Sequence, residues 1–296
     1  MTTVQQIINA LLLGGLLALV ALGFSLVWGI MNVINLAHGT FIMLGAYTAY
    51  WMFSLWGVDP FLSIPVAMLL LFVLGAILQV SVINFIVRAP VLATLLVTFG
   101  LEILITNIAL KLWTADVRSV QTHYAGRGIA LGSLSIPYNK LGALVLALII
   151  TALLWLFLER TKLGRAIRAT AYDQVGARAV GINIGRMYAL TFGIGAALAG
   201  AAGALISTTS AITPMMGSSY TIRAFAICVL GGLGSVTGAL VGGLLFGFIE
   251  VFGVVWIGPG YSDAIVFLVL VLVLIMRPQG ILGRAFSAGV QEAGGA

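Results

Sequence analysis

Charged residues are so sparse in this chain that nearly every stretch between them is long enough to cross a bilayer. One membrane-spanning helix needs about 20 consecutive apolar residues. Runs such as 143–158 and 264–276 are apolar on every side, which argues against a transmembrane barrel, whose strands alternate polar and apolar residues. Of the 296 residues, 61% are hydrophobic and only 7% charged, and the mean hydropathy is +1.18. A soluble domain carries about a quarter charged residues, so this chain lacks the means to coat a water-facing surface. The fold class expected is all-α: a polytopic transmembrane helical bundle, one domain over residues 1–296.

The spans read as 4–28, 36–56, 61–87, 91–113, 139–159, 187–210, 220–233, 235–257 and 261–277. That makes eight or nine membrane segments, because 220–233 is short, contains Arg223, and reads as a short or re-entrant piece. Orientation follows from lysine and arginine, which favour the cytoplasmic side. Arg160, Lys162, Arg165, Arg168, Arg178 and Arg186 lie between spans five and six, and Arg277 and Arg284 in the tail. Both basic ends belong inside, so an even number of crossings separates them. Counting backward places Arg88 inside, the uncharged N-terminus outside, and the 114–138 loop outside, with Asp116 set against Arg118 and Arg127. Trp56, Trp113 and Trp256 fall at span ends, as interfacial anchors do, and Phe41, Tyr47, Tyr50 and Phe53 of span two read by default as anchors too.

The formal charge of +6 is explained by this placement beside apolar segments and implies no nucleic-acid partner. Cys228 is the sole cysteine, which excludes an internal disulfide. The first apolar run has no basic start and no small-residue cleavage pattern, and reads as a retained helix.

Glycines recur at four-residue spacing: Gly234, Gly238 and Gly242; Gly243 and Gly247; Ala196 and Gly200; Ala199 and Gly203. Small residues so spaced share one helix face and let two backbones approach closely. We expect them to pack helices.

The polar segment 159–186, ERTKLGRAIRATAYDQVGARAVGINIGR, is the only long one assigned to the inside. Residues 165–180 read as a single amphipathic helix, with Ile167, Ala171, Val175 and Ala179 as its apolar stripe and Gly181 at its C-terminus. Such a helix either lies on the membrane or docks into a partner's groove. Its small residues favour docking, since a membrane anchor would carry Leu, Phe or Trp.

At Gly164, Arg165, Arg168, Ala169, Asp173, Ala177, Gly181, Ile182 and Asn183 this loop resembles the coupling loop of ABC-importer permeases, and more narrowly that of LivH-type branched-chain amino acid permeases. Val175 and Gly176 depart from it, standing where that family often has Glu and Ala. Three further blocks are similar to the family pattern: the stretch from Gly23 through Phe41 with Met43 to Tyr47, the run from Ala226 to Gly243, and the stretch from Arg277 to Gly283. The four blocks occur in order along essentially the whole chain. The resemblance implies a permease subunit in a bacterial cytoplasmic (inner) membrane. It implies a homologous second permease, two ATP-binding subunits, and a substrate-binding protein that delivers branched-chain or related apolar amino acids. Relatives of the same architecture carry urea, short amides or aromatic acids.

The chain itself has no phosphate-binding loop, since none of its lysines (Lys111, Lys140, Lys162) follows the required glycine pattern. ATP and Mg are therefore expected on the partner subunits, and no cofactor or metal on this chain. Polar groups at membrane depth are expensive and usually face a cavity or a partner helix. Asn32, Asn35 and His38, between the first two spans, either cap a helix break or border the translocation route. Glu102 and Glu250 either bond between helices or serve transport directly, and Arg223 is the expected partner of one of them. Asn84, Asn107 and Thr98 are candidates for bonds between helices. Two rivals are distinguishable: a stand-alone channel or secondary transporter coupled through Glu102 or Glu250, and a membrane enzyme, for which a convergent catalytic set is missing.

Overall fold

The computed structural model describes residues 3–87, 89–132, 134–258, 261–277 and 280–282. Helix α1 (Thr3–Met31) is followed by α2 (His38–Trp56), then by α3 (Pro60–Leu78), which runs through a π turn (Gln79–Ile83) into the short α4 (Asn84–Ile86). After α5 (Val91–Trp113) come a two-stranded hairpin, β1 (Gly128–Leu131) and β2 (Leu134–Pro137), and α6 (Tyr138–Arg160). The polar loop holds α7 (Lys162–Tyr172) and α8 (Gln174–Ala179), and the chain ends with α9 (Ile184–Thr209), α10 (Met216–Gly231), α11 (Val236–Ile257) and α12 (Ser262–Met276). The hairpin is antiparallel, with Ile129 opposite Ile136, and it falls in a stretch that reads only as a loop in the sequence.

Local chemistry sets several boundaries. Asp59 accepts the Phe61 N–H at 2.9 Å, and Pro60 fills the first position of α3, where a missing N–H costs nothing. Gly57 takes the left-handed conformation after α2, at φ 65°. Ser235 caps α11 by accepting the Gly238 N–H at 2.9 Å.

Two helices form the axis of the bundle. The apolar window of α1 is 89% buried and that of α9 83%, whereas α3, α6 and α11 are 28% buried and α5 11%. The rest wrap around this pair: α1 packs on α11, α6 and α10, and α9 on α2 and α3. Close backbone approach makes that possible. A Cβ on Gly247 would stand 2.5 Å from Gly14 Cα on α1, and one on Gly242 2.6 Å from Ile227 O on α10. Gly238 likewise meets Gly231 of α10, and Gly243 meets Ala18 of α1. The two glycine registers of α11 thus serve two different neighbours. Gly234 is not on the helix: it turns the α10–α11 link at φ 79° against Gly29.

A helix stands at each expected span. Six described helices, counting α3 with α4 as one, are long and apolar enough to cross a membrane. The others are α2, α10 and α12. The segment read as short or re-entrant is an unbroken helix of 16 residues, about 24 Å long and shorter than the ~30 Å of a hydrocarbon core. Gln5 at the start of α1 bonds to the Ser135 backbone just before α6 and Gly15 contacts Leu144 on α6, so these two helices run parallel and end together. Gly29 meets Gly234, and Ile281 and Leu282 donate to the carbonyls of Leu230 and Gly231. The basic 160–186 segment and the chain following α12 therefore lie at the same end of the bundle. Arg88 and Arg284 fall outside the described residues.

At the opposite end Asp116 and Arg118 take separate partners. Asp116 accepts from the Thr114 hydroxyl. The Arg118 guanidinium instead lies over Tyr50 and Trp51, 5.4 and 5.1 Å from their ring centroids. Its main chain exchanges hydrogen bonds with Ile212 at 3.0 and 2.8 Å, tying the loop before α6 to the loop after α9. Nor are all the span-two aromatics anchors. Phe41 and Tyr47 are fully buried, Tyr47 stacking on Trp113 at 4.2 Å, because α2 is pressed between α9, α3 and α10.

Candidate functional site

The polar loop folds as two helices, not one. Thr161 caps α7 by accepting the Gly164 N–H at 2.9 Å. A Cβ on Gly164 would come 2.5 Å from Leu158 Cα, so glycine permits the tight reversal out of α6. The break falls at Asp173, whose extended backbone ends α7 and whose carboxylate accepts the Val175 N–H at 2.8 Å. A residue read as part of a continuous helix is thus a cap, which Asp favours over a helix interior. Gly181, at φ 83°, closes α8: its N–H donates to Arg178 O and the Ile182 N–H to Ala177 O, each at 3.0 Å. These are the two bonds of a Schellman turn. Asn183 then caps α9 by accepting the Arg186 N–H at 3.0 Å.

The break redistributes the faces. Ile167, Thr170 and Ala177 are buried, and α7 packs on α6, α1 and α9. Ala171, Val175 and Ala179, expected on the same apolar stripe, are exposed. Tyr172, Val175 and Val180 are 89%, 79% and 76% exposed, large side chains that this fold leaves uncovered. Arg165 is exposed and Arg168 pairs with Glu159. Beside α8 opens a recess of about 590 Å³ between Asn84 and Phe85 on one side and Gln174, Arg178 and Tyr188 on the other.

Among the intramembrane candidates, Asn32, Asn35 and His38 shape the link between α1 and α2. Asn32 adopts φ 52°. His38 is fully buried, and its Nε2–H donates to Val20 O at 2.9 Å. Two hydroxyls from other helices hold the link. Thr98 on α5 accepts the Leu36 N–H at 3.1 Å and donates to Ile34 O at 2.8 Å. Thr221 on α10 accepts the Gly39 N–H at 2.9 Å and donates to Leu36 O at 3.0 Å. Among the described residues, Thr98 alone of the three interhelical candidates bonds between elements: Asn84 is exposed, and Asn107 bonds to Ile103 O of its own helix at 2.8 Å.

Arg223 pairs with Glu250 at 3.2 Å. Glu102, half-buried on α5, makes no ion pair among the described residues. These residues do not form one site. Glu250 lines a recess together with Gln6 and Asn9 of α1, whereas His38 touches α1 at Val20, about 16 Å further along the helix at 1.5 Å per residue. Sequence reasoning missed the part played by Thr221 and the aromatic seat of Arg118. The only signal for them is a lone hydroxyl and a lone cation beside aromatic spans.

Over residues 6–274 the sequence matches the family described as the permease component of branched-chain amino acid transport systems. The chain belongs to that family. Among similar permeases is the high-affinity branched-chain amino acid transport system permease protein BraD of Pseudomonas aeruginosa, 36% identical, with 95% of each chain covered. The corresponding permease LivH of Escherichia coli is 34% identical, again with 95% of each covered. A solved structure, PsaBC from Streptococcus pneumoniae in complex with Fab, aligns with a TM-score of 0.50 over 92% of this permease and 91% of that chain at 13% identity; that likeness concerns the fold alone.

Proposed function

We propose that this permease is the membrane subunit of an ATP-driven importer carrying branched-chain or related apolar amino acids. The observation that carries the proposal is the exposed Tyr172–Val175–Val180 surface on a pair of capped helices seated against α1, α6 and α9. A partner that grips this surface moves the two axial helices of the bundle directly. ATP and Mg belong to that partner, because this sequence has no phosphate-binding loop. Two ATP-binding subunits, a homologous second permease and a substrate-binding protein complete the assembly. It resides in a bacterial cytoplasmic membrane, with the α7–α8 end in the cytosol and the N-terminus outside.

In this reading, closure of the ATP-binding subunits pushes α7 and α8, the push passes to α9 through the Asn183 cap, and the helices around it tilt. Small-residue contacts between α9 and α2 allow such sliding. The link held by Thr98 and Thr221 is the natural gate, since it joins α1, α2, α5 and α10. Uptake of labelled leucine into sealed vesicles carrying the full assembly tests this. Uptake that requires ATP and the second protein is expected. Uptake by the isolated permease driven by an ion gradient alone would instead make it a secondary transporter. Preference for urea, short amides or aromatic acids over leucine would keep the class and change the substrate.

A further inference from the structure

The recess beside Glu250 has no place in this transport scheme. Its floor is α1, and α6 and α11 pack on α1 to either side of it. It holds about 360 Å³, within the range of small-molecule pockets. Its lining is graded along α1. Gln6, Asn9 and Lys140 line the end near the starts of α1 and α6, where Val254 and Val255 of α11 face them, while Leu12, Leu13 and Leu16 of α1 line the deeper part. Gln6 is only 9% exposed and makes no side-chain hydrogen bond with another described residue. The Gln6 carboxamide lines the recess, so a group bound there can supply the hydrogen bonds that the protein does not. Asn9 spends its oxygen on Gln5 Nε2 at 3.2 Å, which leaves its own N–H groups to donate. Lys140 is in the first turn of α6, where the helix dipole adds to its positive field, and it makes no ion pair among the described residues. The one carboxylate of the recess, Glu250, is offset by Arg223 at 3.2 Å. The net field at the polar end is therefore positive.

We propose that this recess is a phospholipid site, with the lipid phosphate held by Lys140, Gln6 and Asn9 and one acyl chain lying along α1. Two observations favour a lipid over a soluble anion. Along α1 the lining passes from Gln6 and Asn9 to Leu12 and Leu16, as a lipid passes from head to chain. The flanking surfaces of α6 (Val145, Leu148, Ile149) and α11 (Val255, Trp256, Ile257) are exposed and apolar, so the recess opens onto surface that lipid tails cover.

The test is native mass spectrometry of the intact importer, or of the permease alone, extracted from bacterial membranes in a mild detergent. One phospholipid per permease should survive extraction. Lys140→Glu and Gln6→Leu should each lower the lipid-bound fraction at least fivefold, while Lys140→Arg, and Lys111→Glu on α5, keep it. Thermal unfolding in the same detergent, unchanged among these variants, separates lost lipid from lost fold. Absence of lipid from the wild-type protein, or retention indifferent to both Lys140→Glu and Gln6→Leu, overturns the proposal. So does displacement of the lipid by millimolar free leucine, which would assign the recess to the transported amino acid.

Discussion

Arg223 Nη2 and Glu250 Oε1 stand 3.2 Å apart and join α10 to α11 through side chains that are 26% and 14% exposed. Removing one member of a buried pair strands the other charge, at a cost of about 3 kcal/mol or more, whereas removing both costs far less. Arg223→Met and Glu250→Leu should therefore each lower thermal stability in detergent by several degrees, and the double substitution should recover most of the loss. Additive losses in this cycle would mean that the two groups do not support one another.

Gly247 touches the backbone of α1, whereas Gly100 on α5 faces open space, with nothing within 4 Å of the position a methyl group would take there. Gly247→Val should force α1 and α11 apart, at a cost of ~1–3 kcal/mol for overpacking, and lower the yield of folded protein. Gly100→Ala should be neutral or slightly stabilising, since alanine is favoured over glycine in a helix by about 1 kcal/mol. Size-exclusion profiles and melting temperatures read both outcomes.

The exposed surface on α7 and α8 separates coupling from stability. Tyr172→Ala with Val175→Ser alters side chains that bury almost nothing, so insertion and melting temperature should stay unchanged. ATP-driven leucine uptake should fall at least fivefold. Gly181→Pro should have a stronger effect, because it removes an N–H that bonds to Arg178 O and proline cannot adopt a positive φ. Wild-type uptake in both variants would remove α7 and α8 from the mechanism.

The Tyr124 hydroxyl, in the loop between α5 and α6, donates to Asp59 Oδ1 at 3.1 Å. Burial, reinforced by the Asp59 carboxylate, pushes its pKa well above the ordinary tyrosine value of about 10. The folded protein then holds this proton while the unfolded chain loses it. Its contribution to stability is complete below pH ~10 and declines as pH rises beyond that value. Tyr124→Phe should be less stable than wild type at pH 8 and should show a shallower loss between pH 10 and 11. Parallel curves over that interval would contradict the assignment.

The helices were legible because an apolar stretch in lipid has only one way to satisfy its backbone, and the glycine spacing marked where α11 meets its neighbours. Burial direction was harder to read. In α2, Tyr47 looks like any interfacial tyrosine, and only the wrapping of α2 by α9, α3 and α10 encloses it. The polar loop misled for a local reason. Val175 and Ala179 continue the helical period of Ile167 and Ala171, but Asp173 gains more as a cap than as an interior residue. The Arg118 contacts with Tyr50, Trp51 and Ile212 join segments far apart in the chain, and no pattern in one sequence marks such pairing.

The central position of α1 has a consequence for how the chain is made. It leaves the ribosome well before the neighbours that enclose it, α9 and α11, which begin only at Ile184 and Val236. During synthesis Gln5, Gln6, Asn9 and Ser25 must wait in the insertion machinery or in lipid while seven further helices emerge. A nascent chain halted before α9 exposes the surface that the finished protein hides most completely, and that stage is where membrane quality control would find it.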